Sequence, residues 1–108
     1  MEDIIEQAES LGKSIAQSDA YKALSDRRKQ VDEEKELQEA MDRLDEASEA
    51  IAQKEQAGKP VEPQEKHEVR ELQETVTGNP KMQELARAEA DFAALMNRVN
   101  RAIRGQMR

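Results

Sequence analysis

The sequence predicts an all-α protein of about five helices. The expected arrangement is a long antiparallel helical hairpin with the N-terminal helices packed on it, within a single domain spanning residues 1–108. Three observations carry this expectation. Apolar residues recur every three or four positions from Ile4 to Ile103, which is the period of one helix face. The pattern is interrupted at only a few sharp stops, chiefly Gly58-Lys59-Pro60 with Pro63, and Gly78-Asn79-Pro80. These residue types end one helix and open the next. Charged residues make up 38% of the 108-residue chain and hydrophobic ones 36%, with no Trp. That balance describes charged rods with narrow apolar stripes, and such stripes need another helix to cover them.

The first helix is expected from about Asp3 to Gln17, where Ile4, Ile5, Ala8, Leu11 and Ile15 share one face. Ser18 suits the N-cap of a second helix over about Asp19–Gln30, and Asp19 suits its positive end. Tyr21, Leu24 and Val31 supply its buried face. Asp32 repeats the capping logic for a third helix running to about Gln56, although no Gly or Pro separates the second and third helices and one continuous rod is an alternative. The third helix carries Leu37, Met41, Leu44 and Ile51 at heptad-like spacing, with Ala40 and Ala47 beside them.

Gly58 is a natural C-terminal stop and Pro60 prevents continuation. Pro63 opens a fourth helix, with Val69, Leu72 and Val76 facing inward. After Gly78, Asn79 as cap and Pro80 at the first helical position start a fifth. This last helix has the densest stripe, namely Met82, Leu85, Phe92, Leu95, Met96, Val99 and Ile103. The third helix is expected to pack against the fourth and fifth.

Composition removes several function classes. A net charge of −7 argues against general nucleic-acid affinity, which needs a cationic surface. The regular apolar period argues against acidic disorder. With no cysteine, disulfides and thiolate metal sites are excluded. No apolar run approaches membrane-spanning length, and the chain opens Met-Glu-Asp without a basic or apolar leader. The expected location is the cytoplasm, with no membrane insertion.

No catalytic, cofactor-binding or metal site is expected. His67 is the single histidine. With Glu71 it forms a His-x-x-x-Glu pair, but the paired Glu-x-x-His motifs of a di-metal bundle do not occur, and a surface histidine is the better reading. No nucleophile triad assembles around one histidine, and the four glycines form no phosphate loop. Tyr21 and Phe92, the two aromatics, read as core anchors.

The C-terminal end departs from the acidic average, with Arg98, Arg101, Arg104 and Arg108 and no acid after Asp91. At about 100° per residue these arginines lie away from Leu95, Val99 and Ile103. Cations favour a helix C-terminus through its dipole. The same four residues are the candidate contact for an acidic partner. The Arg27-Arg28-Lys29 cluster admits the same two accounts.

Several stretches, in order, resemble the YlbF/YmcA family of small helical bacterial regulators. Leu11-Gly12-Lys13-Ser14-Ile15-Ala16-Gln17-Ser18 with Tyr21 and Leu24 is similar to that family's first two helices. Asp32 sits where its long third helix often starts, and Gly58-Lys59-Pro60 resembles its turn. Asn79-Pro80 with Phe92, Leu95, Val99 and Ile103 resembles its last helix. The likeness runs from about Ile4 to Ile103. It implies an all-helical protein that forms homo-oligomers or pairs with related helical chains. Family members act with a further protein, YaaT, on the endoribonuclease RNase Y, steering mRNA processing and thereby competence, biofilm formation and sporulation. In some members cysteines bind iron–sulfur clusters. This chain has no cysteine for such a cluster, so no cofactor is expected.

The resulting expectation is a non-enzymatic regulatory adaptor that works through helix-mediated oligomerisation and partner binding, with an RNase Y-type complex as the partner implied by the resemblance. Leu37, Met41, Leu44, Ile51, Leu85, Phe92, Leu95, Met96, Val99 and Ile103 are assigned to core and self-association. A chaperone-like or structural helical protein holding clients through apolar faces is the alternative. Direct RNA binding through the arginine stripe is a third reading, which the net charge disfavours.

Overall fold

The computed structural model describes residues 2–108. Five helices follow one another: α1 (Glu2–Ala16), α2 (Asp19–Glu33), α3 (Lys35–Gln56), α4 (Pro63–Thr77) and α5 (Pro80–Gly105). No strand occurs among the described residues. The all-helical expectation is met, and most helix ends fall within a residue or two of where local chemistry places them.

The helix ends have identifiable causes. The Ser18 hydroxyl accepts the Tyr21 amide at 3.2 Å, satisfying an orphan donor in the first turn of α2. Asn79 does the same for α5, its side-chain oxygen accepting the Lys81 amide at 2.9 Å. Pro63 opens α4 from Glu62, whose amide donates to the Glu65 carboxylate at 3.4 Å. At the end of α3 the Lys59 amide reaches the Lys54 carbonyl at 2.8 Å, and the Gly58 amide reaches Glu55 at 3.2 Å. This is the Schellman pattern, and Gly58 holds the positive φ of 69° that it requires. Gly58→Ala therefore costs about 1–2 kcal/mol through the left-handed backbone alone, since nothing crowds the site. Urea unfolding followed by circular dichroism checks this, with the midpoint falling and the slope unchanged.

The second and third helices are neither continuous nor separated at Asp32. The break is one residue, Glu34, with φ −88° and ψ 103°. Its cause is partly distant in sequence. The Asn79 amide group donates to Glu34 Oε1 at 3.4 Å, and Lys81 Nζ lies 3.6 Å from Oε2. Gln38 Nε2 also donates to the Val31 carbonyl at 2.9 Å, which the Glu34 amide reaches at 3.2 Å as well, so both donors tie the end of α2 to the break. Glutamate is a weak cap by local preference, and here it is held by the turn between α4 and α5.

The chain divides into two compact units, Gln30–Gln83 and the remainder, which joins the residues up to Lys29 with Glu84–Arg108. In the Gln30–Gln83 unit, α3 packs antiparallel on α4. Val31, Leu37, Ala40 and Val76 are buried there, flanked by half-buried Met41, Leu44, Ile51, Val69 and Leu72. At the turn end of this hairpin Lys54 donates to the Glu65 carboxylate. That hydrogen bond holds the Glu65 carboxyl below its ordinary value of 4.5. A depressed folded-state pKa means that the contact stabilises the fold above pH 4.5 and is lost as pH falls through the lowered value. A side-chain NMR titration is expected to place the Glu65 midpoint below 4.5, and Lys54→Met to return it toward that value.

In the other unit the core is thinner. Leu24 and Ala88 are its buried residues. Tyr21 and Phe92 meet edge to face with centroids 5.7 Å apart, and Arg27 pairs with Glu84 at 3.0 Å. These contacts join α2 to α5, so within this unit α5 takes its partner from the N-terminal helices.

Candidate functional site

The surface that stands out lies in the α1–α2–α5 unit. Helix α1 separates apolar from polar residues more strongly than any of the other four. Ile4, Ile5, Ala8, Leu11 and Ile15 fall on one face, while Glu2, Asp3, Glu6 and Glu9 lie toward the other. Yet none of its described residues is buried. Ile4 is 67% exposed, Ile5 57% and Leu11 38%, and only Ile15 is half-buried. One exposed leucine is ordinary, but a whole apolar helix face left in water is not.

The C-terminal end of α5 repeats the feature. Leu85, Phe92, Leu95, Met96 and Val99 are half-buried, so the stripe is covered along most of its length. It emerges at Ile103, which is 47% exposed, and Met107 beyond the helix is 72% exposed. Tyr21, read from sequence as a core anchor, keeps 39% of its surface in water while holding Phe92.

The residues assigned from sequence to core and self-association thus fall into three groups. Leu37 is buried. Met41, Leu44, Ile51, Leu85, Phe92, Leu95, Met96 and Val99 are half-buried, and Ile103 is exposed. Arg98, Arg101 and Arg104 project from α5 and Arg108 follows it, all four exposed. Sequence reasoning left Ile4, Ile5 and Leu11 out of the candidate site. The signal is present in the strength of the α1 stripe, but periodicity does not say whether the same chain covers it.

His67 Nε2 lies 2.9 Å from Glu71 one turn on, and both side chains are about two-thirds exposed, which is a surface pair. Among the described residues no group of three His, Asp or Glu could hold a metal ion. None of the helices among them is long and apolar enough to cross a membrane.

Fold and surface together define a small all-helical protein whose most prominent surfaces are helix faces. A family model described as control of competence regulator ComK, YlbF/YmcA, matches residues 4–108, and the chain belongs to that family. It is similar to the UPF0342 protein LBA1592 of Lactobacillus acidophilus, with 29% identity over 101 residues that cover 94% of this chain and 87% of that protein. No solved structure matches. The resemblance carried by Leu11–Ser18, the Gly58 turn and Asn79-Pro80 is therefore confirmed at the level of family.

Proposed function

We propose that this chain is a non-enzymatic, cytoplasmic regulatory adaptor that self-associates through helix faces and docks on a larger partner. The observation that carries the reading is the uncovered apolar face of α1, with Ile103 and Met107 exposed at the C-terminal end as well. An amphipathic helix in water gains roughly 25 cal/mol for each Å² of apolar surface it covers, so covering the exposed stripe is favourable. Membership of a family described by control of a competence regulator supports regulation as the setting. The partner in this reading is an RNA-processing complex of the RNase Y type, reached through protein contacts. A net charge of −7 opposes direct binding to RNA backbone. With no cysteine the chain supplies no thiolate to a cluster, and it acts without a cofactor.

Affinity capture of the tagged chain from its host, with and without RNase, tests this. Recovery of an endoribonuclease or of related helical chains, unchanged by RNase, is expected. A diffuse set of unfolded clients would favour a chaperone-like protein instead, and recovery that vanishes with RNase would favour RNA contact.

A further inference from the structure

We infer that Glu34, Asn79 and Lys81 form a conformational clasp that holds α2 and α3 apart, and that its release fuses the two into one helix over residues 19–56. The break lacks the usual helix stoppers. Val31-Asp32-Glu33-Glu34-Lys35-Glu36-Leu37 contains no Gly or Pro, and Glu, Lys and Leu are good helix formers. Yet Glu34 is extended, and as N-cap its side chain makes no bond to the first amides of α3. The first backbone bond of α3 runs from the Gln38 amide to the Glu34 carbonyl at 3.0 Å. The amides of Lys35, Glu36 and Leu37 are thus left without the acceptors four residues back that a continuous helix supplies. Local chemistry favours fusion here, so the break is held from elsewhere.

What holds it comes from the turn between α4 and α5. Asn79 Nδ2 donates to Glu34 Oε1 at 3.4 Å, and Lys81 Nζ stands 3.6 Å from Oε2. Oε2 is shut off from solvent, and among the described residues it accepts no hydrogen bond, so the Lys81 ammonium is the charge that answers it. Without that ammonium Oε2 is a desolvated charge lacking compensation, which destabilises the break. The turn is also tight, since a Cβ on Gly78 would meet the Glu74 carbonyl oxygen at 2.8 Å. Asn79 is held at both ends of its amide group, with the oxygen capping α5 and the nitrogen on Glu34.

Burial sides with the clasp. Val31, Leu37 and Ala40 are all buried in the hairpin. On one continuous helix, at about 100° per residue, Val31 would stand roughly 120° from Leu37 and roughly 180° from Ala40. Fusion therefore takes Val31 out of the hairpin core while giving three amides their acceptors. Two arrangements oppose each other at a single residue, and the clasp selects the broken one.

The test opens the clasp and then forbids the fused helix, in the full chain. Asn79→Asp with Lys81→Gln keeps an oxygen to cap α5 but sets a carboxylate in place of an amide against Glu34. Backbone NMR reads the outcome from the Glu34 Cα shift. That shift is expected to move from the extended toward the helical range, with the ratio of helical to extended forms rising about tenfold or more, the scale of one hydrogen bond to a charged group. Adding Lys35→Pro is expected to return Glu34 to the extended range, because a residue before proline avoids helical backbone and proline is tolerated in a first helical turn. Lys35→Pro alone is expected to leave the melting temperature unchanged or raised, since Glu34 is already extended and Lys35 already opens α3. A Glu34 that stays extended in the opened variant, or hairpin signals that melt out in place of fusing, would overturn the inference. A Lys35→Pro chain that unfolds would overturn it too, since the break would then not be the native arrangement.

Discussion

Leu37→Ala is expected to lower stability by about 2–5 kcal/mol, the largest single-site loss in the Gln30–Gln83 unit. Leu37 is 2% exposed and is the largest of the buried side chains of the hairpin, where the others are Val31, Ala40 and Val76. Truncation removes the transfer free energy of the isobutyl group and leaves a cavity. The other buried and half-buried residues of the hairpin are poor at refilling that space. Ala40 has no length to move into it, and Val76 is β-branched with few rotamers. Met41 and Leu44 are already half in solvent, so a shift inward by either gives up contact elsewhere. Urea unfolding measures the loss, and hydrogen exchange locates it in α3 and α4. A change below about 1 kcal/mol would mean that the hairpin core does not centre on Leu37.

The opposite dissociation of effects is expected for Ile4→Ser with Ile5→Ser and Leu11→Ser. All three side chains are substantially exposed, so monomer stability should move by no more than about 0.5 kcal/mol per site. Serine and isoleucine have similar helix propensity, and α1 keeps its Glu2 and Asp3 in the first turn. Self-association is where the substitution acts. Each apolar side chain is worth roughly 1.5–3 kcal/mol when fully buried, and partial burial of three gives an association constant lower on the order of 100-fold. Sedimentation reads that loss, and an unchanged melting curve shows that the chain is still folded. A melting curve that collapses with the association would instead place the face inside the monomer's own core.

Much of the fold is legible in the sequence because its punctuation is local. Ser18, Gly58, Pro63 and Asn79-Pro80 act on atoms within a few residues, so cap and turn chemistry finds them without knowledge of the rest. The break at Glu34 is different. Asp32 is the better cap by preference, and the groups that fix Glu34 are Asn79 and Lys81, some 45 residues on. Local pattern carries no trace of that pairing. The candidate site is legible only in part for a related reason. Periodicity identifies Ile4, Ile5 and Leu11 as a face that favours burial, but amphipathicity is the same whether the cover comes from the same chain or another. The arginines are visible as a charge run from composition alone.

Light scattering coupled to size exclusion, run on the native chain across a wide concentration range, tests self-association most directly because it reports mass independently of shape. A mass that rises to a multiple of 12.3 kDa, and falls back on dilution, is the predicted result. A constant 12.3 kDa at every concentration would contradict the account, since the exposed stripe of α1 would then have no second copy to cover it.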